Sequence, residues 1–350
     1  MTIKLSFPLF KLPFLCIECT LLHFHVFDLI TFSFVTKKCK YIVKLLKAHR
    51  WKKVNIYKSR NEIAIKFLHD GNEWDCGWYF NLSGNREFFS RAIGFLPANS
   101  DWINSNTYSF LSEDPHESAA GAIEYLTNCF NCPIRECRLF LEDLPVQHRG
   151  SFFPFMIQCE VFFLSNDTVL GNKEITEILE NLTVRGGIVI RTPLNESFDS
   201  SLLKSERISF KTNGAQSVTR SILFGLEQNE ILVFNCVYSK IRAEDFVDFF
   251  DRWYNSNDNK FKNLLLKWTD GREPFNMDLL NAYKIHEYDS QRRAPAFGVL
   301  QRFRKKCEDG MDIMRKDGLW ATILNTEQCL YFHVWLQPFE DTTGRSTWLN

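Results

Sequence analysis

Between residues 137 and 268 the chain repeats one theme without repeating its letters. Short apolar runs recur: "CRLFL" (Cys137–Leu141), "EVFFL" (Glu160–Leu164), "GIVIR" (Gly187–Arg191), "RISF" (Arg207–Phe210), "ILVFN" (Ile231–Asn235) and "KNLLLKW" (Lys262–Trp268). Each has the length of a strand, and they lie roughly 20–32 residues apart. Helix-length segments sit between some of them: "NKEITEILENL" before Gly187 and "RAEDFVDFFDRWYN" before Lys262. In the second, Phe246, Phe249, Phe250 and Trp253 follow the i, i+3, i+4, i+7 spacing of one helix face. A lone strand–helix unit cannot bury its apolar face, so such units are expected to stack. The fold class is α+β or α/β. The expected layout is an irregular leucine-rich-repeat-like array, with the sheet on one side and helices on the other.

The flanking segments read differently. Residues 50–135 begin with alternating runs at Val54–Tyr57, Glu62–Phe67 and Glu73–Phe80, separated by "SRN" and "HDGN". A polar stretch from about Pro97 to Pro115 is expected to be a loop. "ESAAGAIEYLTNCF" is a helix with Ala119, Ile123, Leu126 and Phe130 on one side. Near the other end, "GMDIMRKDGLWATI" (Gly310–Ile323) is a hairpin turning at Asp317–Gly318, a favoured turn pair. "CLYFHVW" (Cys329–Trp335) supplies its third strand, and the last fifteen residues form a polar tail.

The most apolar stretch is "LPFLCIECTLLHFHVFDLITFSFV" (Leu12–Val35). A signal peptide needs an unbroken apolar core and a small-residue cleavage site. Lys11 and Glu18 break this one, and no such site follows. A membrane span disfavours charge by roughly 2.5–3.5 kcal/mol per group at its centre, and Glu18 and Asp28 both lie inside. Three short helices fit better. Pro13 suits a first helical turn. Phe14, Ile17 and Leu21 share a face, Phe27, Ile30 and Phe34 mark a second helix, and Thr36 can cap a third. In that third helix Cys39, Ile42, Val43 and Leu46 face one way, while Lys37, Lys38, Lys40, Lys44 and Lys47 face water. Three such helices bury little on their own, so their apolar excess points to a partner. The lysines are the soluble side of that helix rather than a nucleic-acid patch.

Composition narrows the classes. Lysine plus arginine and aspartate plus glutamate balance at 42 each, so there is no global pull towards nucleic acid or anionic lipid. Thirty-three phenylalanines promise a ring-rich core. Eleven cysteines, an odd number without framework spacing, suit a reducing compartment, cytosol or nucleus. Four N-x-[ST] sequons, at Asn81, Asn166, Asn181 and Asn195, would matter only in a secreted chain.

No catalytic or metal constellation emerges. Cys129-x-x-Cys132 with Cys137, near His116 and His148, has local zinc-like spacing, but only one knuckle is present and four ligands are needed. Cys16-x-x-Cys19 lacks the strand–helix setting of a redox site. The acidic pairs Glu244–Asp245 and Asp248–Asp251 read as the wet side of a helix. Nothing assembles a nucleophile, a base and an oxyanion donor, so no cofactor, metal or catalytic residue is assigned.

The order "LP" (Leu12–Pro13), apolar helix, "FDLITFSFVTKKCKYIVK" resembles an F-box of the nematode type over about residues 6–47. "SKIRAEDFVDFFDRWYNSNDNKFKNLLLKW" and the closing "DIMRKDGLWATI…YFHVW" resemble the nematode F-box-associated domain of type 2, over about 187–275 and 276–335. The resemblance implies an F-box at 6–48, a strand-rich connection at 50–135, a leucine-rich-repeat-like domain at 136–275 and a strand module at 276–335. It further implies a non-catalytic substrate-recognition subunit of a Skp–cullin–F-box ubiquitin ligase. Leu12, Pro13, Ile17, Leu21 and Leu29 would anchor the Skp-family adaptor, and the cullin scaffold would be reached through it. An unidentified protein target would lie across the strand-lined face or loops of 187–268. The alternatives are an adaptor-binding or decayed family member that delivers no target, or a secreted or membrane-inserted protein.

Overall fold

The computed structural model describes residues 9–46, 51–59, 62–69, 72–81, 89–90, 99–104, 107–111, 115–141, 157–211, 213–226, 229–235, 240–267, 275–299, 303–327 and 329–336. Most of the expected polar tail, together with Lys47, His148 and Cys236, lies outside them. The chain divides into two compact units, Met1–Arg135 and Glu136–Asn350.

In the first unit, helices α1 (Phe14–Leu21), α2 (Val26–Val35) and α3 (Lys37–Leu45) precede an antiparallel meander of β1 (Trp51–Lys58), β2 (Glu62–His69) and β3 (Asn72–Asn81). The strands β4 (Phe89–Ser90), β5 (Asn99–Asn104) and β6 (Thr107–Leu111) follow, with β6 parallel to β3 and β5 antiparallel to β6. The stretch 97–115, expected to be a loop, thus contains a strand pair. Tyr108 and Phe110 alternate with Thr107 and Ser109 in β6, but the run is only five residues long and β5, "NSDWIN", has no such alternation. Helix α4 (Pro115–Phe130) buries Ala119, Ile123, Leu126 and Phe130, the face its periodicity indicates. It stops at Asn131, whose φ of 49° is left-handed, a conformation asparagine tolerates better than most residues. β7 (Ile134–Phe140) carries the chain across the division between the units.

The second unit is built on a parallel array. β8 (Ile157–Ser165), β9 (Leu182–Ile190), β10 (Arg207–Phe210), β11 (Ile231–Asn235) and β12 (Asn263–Lys267) lie side by side in chain order, each parallel to the next. The connections hold α5 (Asn172–Glu180), a 3-10 turn at Ser200–Leu202, α6 (Asn213–Gln216), α7 (Arg220–Gly225) and α8 (Ala243–Asn255). α5 packs on the 3-10 turn, the turn on α7 and α7 on α8, so these connections line up beside one another. Period-2 alternation then divides the sheet into two faces. Ile188, Ile190, Ile208, Phe210, Leu232, Leu264 and Leu266 form the face under the helices, all buried. Val189, Ser209, Val233 and Leu265 form the other.

α8 shows why that sorting is stable. Its Phe246, Phe249, Phe250 and Trp253 are all buried, as the spacing requires. Phe246, Phe250 and Trp253 sit 6.4, 5.5 and 4.9 Å from the ring of Phe332, which pairs with Leu264 on the neighbouring strand. Edge-to-face packing of this kind adds about 0.5–1.5 kcal/mol per pair beyond area burial.

The last elements are β13 (Ile285–His286), β14 (Ala296–Val299), β15 (Phe303–Lys306), β16 (Met311–Met314), β17 (Trp320–Asn325) and β18 (Cys329–Trp335). β16–β17–β18 is the expected meander, and Gly318 takes φ +90° in its turn. β18 runs antiparallel to β12, so the segments 136–275 and 276–335 share one sheet rather than forming separate modules.

Candidate functional site

The three amino-terminal helices are each specified locally. Pro13 precedes α1 at its N-cap rather than inside its first turn, with φ −54° and ψ 146°. Its carbonyl still accepts from the Cys16 and Ile17 amides at 3.0 and 3.2 Å. Thr36 ends α2 and caps α3, its Oγ1 accepting from the Cys39 amide at 3.1 Å. Asp28 lies in the first turn of α2, where the helix dipole favours a negative charge. In α3, Cys39, Ile42 and Val43 face inward and Lys37, Lys38, Lys40 and Lys44 face water.

The same unit seals much of the apolar surface of these helices. Phe27 stacks 6.1 Å from Trp78 and meets Phe67 edge-on at 5.7 Å, so α2 lies on β2 and β3. Phe34 stacks on Tyr125 of α4 at 4.5 Å, and Ser33 Oγ lies 2.8 Å from the Tyr125 hydroxyl. Part of the apolar excess that suggested a partner is therefore satisfied within the chain.

Four large apolar side chains remain exposed on and around α1. Leu15 is 68% exposed, Phe14 43%, Phe10 39% and Phe24 38%. Phe10 and Phe24 each lie 6.4 Å from Phe32, which joins them, and the Lys38 ammonium stands 4.7 Å over Phe10. Val35 on α2 and Tyr41 and Leu45 on α3 are also exposed. Of the residues expected to anchor an adaptor, Leu12 is half-buried and Pro13 exposed, whereas Ile17, Leu21 and Leu29 are interior. Helix α1 is apolar nearly all round, so its periodicity does not single out the outward face. Phe10, Phe14, Leu15 and Phe24 are the residues that sequence reasoning missed for this surface.

Cys129, Cys132 and Cys137 are buried free thiols, and burial pushes Cys132 up to about 12. Among the described residues no group of three His, Cys, Asp or Glu side chains is placed to hold a metal. Three of the four acids of α8 have structural partners. Asp245 accepts from the Arg242 amide at 2.8 Å, Asp248 pairs with Arg220 at 2.7 Å, and Asp251 accepts from the Tyr283 hydroxyl at 2.7 Å. Asn166 of the second sequon is buried, its amide donating to Thr168 O and Oγ1 at 2.7 and 2.6 Å. A cavity of about 260 Å³ between α5, β9 and the 3-10 turn is lined by Leu179, Leu182, Ile188 and Leu202, with Glu180 and Lys204. No described helix is long and apolar enough to cross a membrane.

On the sheet face away from α8, two small apolar clusters are present. One joins Val161, Phe163 and Val189, and the other joins Val233, Leu265 and Cys329 with Tyr331 against them. Towards the carboxyl ends of the strands this face changes from apolar to charged. No protein-family model, no curated protein and no solved structure matches the chain.

Proposed function

We propose that the chain is a non-catalytic substrate receptor of a Skp–cullin–F-box ubiquitin ligase, acting in the cytosol or nucleus. The carrying observation is the exposure of Phe10, Phe14, Leu15 and Phe24 on and around α1, the first of three short helices. In this reading these side chains dock on a Skp-family adaptor, and Leu12 and Pro13 flank them. Ile17, Leu21 and Leu29 hold the helices in place from inside. Burying Phe14 and Leu15 on a partner would contribute about 1.5–3 kcal/mol each. Sequential parallel strands with laterally stacked connections support a leucine-rich-repeat-like target domain. Nine cysteines among the described residues are free thiols, and the odd total without framework spacing supports a reducing compartment. The receptor's contribution is effective concentration and orientation of a target near the transferred ubiquitin, not bond-making.

The test is co-expression of the full chain with nematode Skp-family adaptors, followed by size-exclusion chromatography. Co-elution that Phe14→Asp/Leu15→Asp abolishes, while the variant stays folded, supports the reading. Failure to bind any adaptor sinks it. Capture without ubiquitination of any target would instead favour an adaptor-binding protein that delivers nothing.

A further inference from the structure

Arg191, Lys211 and Lys267 are far apart in sequence, but the parallel register brings them together. Ile190 pairs with Phe210 and Phe210 with Phe234. The ladder continues one residue further, with the Lys211 amide donating to Ile190 O and the Arg191 amide to Leu164 O, both at 2.8 Å. Asn235 pairs with Lys267. Arg191, Lys211, Asn235 and Lys267 thus occupy one register row on four adjacent strands. At roughly 4.8 Å per strand the row spans about 14 Å. Arg191, Lys211 and Lys267 continue the alternation of Val189, Ser209 and Leu265, the face opposite α8.

A fourth cation flanks the row. The Arg138 guanidinium lies 4.7 Å over the Phe163 ring, and Phe163 pairs with Val189. Arg138 has its own carboxylate, Glu136, at 2.7 Å. Arg191, Lys211 and Lys267 have no side-chain hydrogen bond or ion pair among the described residues. Arg191 and Lys267 are exposed and Lys211 is half-buried. Burial, then the charges of Arg191, Lys267 and Arg138, lower the Lys211 pKa. Like charges on neighbouring strands repel, so the row by itself disfavours folding, and a bound anion would reverse that.

We infer that this carboxyl edge of the parallel sheet binds an extended acidic segment of a partner protein, its carboxylate or phosphoryl groups held by Arg191, Lys211 and Lys267. The row matches about four residues of extended peptide, at roughly 3.3 Å each. Arginine offers a bidentate fork for such groups and lysine a mobile point charge. A short peptide fits better than a nucleic acid, because the chain as a whole is neutral and three cations release few counterions. The inference rests on the receptor reading only for the role of that segment, which would then be the recognition element of the ubiquitination target.

The full-length protein is titrated into fluorescein-labelled ten-residue probes and followed by anisotropy. The probes are a glutamate-rich peptide, the same peptide with one phosphoserine, a glutamine-substituted control and a ten-nucleotide oligothymidine. Binding of the acidic peptides over the control, weakened at least tenfold by Arg191→Gln/Lys211→Gln/Lys267→Gln, is expected. Arg185→Gln/Lys260→Gln, exposed cations elsewhere, should leave it unchanged. Equal affinity for the two acidic peptides assigns the site to carboxylates, and preference for the phosphopeptide assigns it to a phosphoryl group. If the triple variant fails to fold, Arg191→Gln/Lys267→Gln, at exposed positions only, replaces it. No selectivity for acidic peptides, no loss in the variant, or tighter binding of the oligonucleotide overturns the inference. Adaptor capture, assayed on the same preparations, fails independently if only the receptor reading is wrong.

Discussion

Arg293 Nε donates to both carboxylate oxygens of Asp312, at 2.8 and 2.7 Å, and both residues are buried. The remaining groups are also met. Arg293 Nη1 donates to Ala294 O at 3.1 Å and Nη2 to Cys307 O at 2.8 Å. Thr322 Oγ1 donates to Asp312 Oδ1 at 2.6 Å and in turn accepts from Trp335 Nε1 at 2.7 Å. The network ties the segment before β14 to β16, β17 and β18. Removing one partner strands the other charge in a dry site. Asp312→Ala should therefore lose about 3–5 kcal/mol of stability in urea denaturation. The paired change Arg293→Met/Asp312→Leu should lose much less, and equal losses would contradict this account.

His333 lies behind the same network, stacked 4.4 Å from Phe297 and edge-on to Trp335 at 4.5 Å. Its Nδ1 is 2.6 Å from Asn263 Oδ1, which places the ring proton on Nδ1. Burial, with the Arg293 charge, pushes its pKa down to about 3. The unfolded chain takes up this proton first, near pH 6.5. Stability should be fully present above that value and fall as pH drops towards 3. His333→Phe should flatten this part of a melting-temperature profile measured from pH 8 to pH 4.

Gly214 marks a close approach between backbones. A Cβ there would lie 2.5 Å from Ile190 O and 3.0 Å from Ile190 C. That carbonyl also accepts the Lys211 amide that closes the β9–β10 edge. Gly214→Ala should cost about 1–3 kcal/mol through this overlap. An unchanged unfolding midpoint would show that the connection can shift aside.

Leu21 and Leu15 sit on one helix with opposite environments. Leu21→Ala should cost about 2–5 kcal/mol by leaving a cavity under α1. Leu15→Ala should stay within about 0.5 kcal/mol of the parent while weakening adaptor capture. The two measurements separate a residue that builds the helical surface from one that touches a partner.

Thr36 offers a local test. Thr36→Ala removes the Oγ1 acceptor for the Cys39 amide and should cost about 1 kcal/mol. Thr36→Asp, which restores an acceptor, should recover most of it.

The helices and strands with strong periodicity were legible in the sequence. α8 was readable because four rings at fixed spacing admit one buried face. β10 and β11 were readable because apolar runs bounded by polar residues have strand length. The β5–β6 pair was not, since the alternation of β6 spans only five residues and β5 has none. α6 and α7, at four and six residues, are too short to show a helical period. The outward side of α1 was hidden because "FLCIECTL" is apolar nearly all round, and only tertiary packing selects Ile17 and Leu21 as the residues that go in. The cation row was invisible for another reason. It is a property of register, and no local pattern links Arg191 to Lys211 and Lys267.

β12 stays an open edge until β18 pairs with it, and β18 is made about sixty residues later. During synthesis at about 5–20 residues per second, a finished parallel array would wait with unpaired amides and carbonyls along Asn263–Lys267. The rings of Phe246, Phe250 and Trp253 would wait with it, since Phe332 arrives on that same last strand. The ribosome-bound nascent chain is thus the state in which this protein is most exposed to strand addition by a neighbour, and chaperone dependence should be concentrated in that interval.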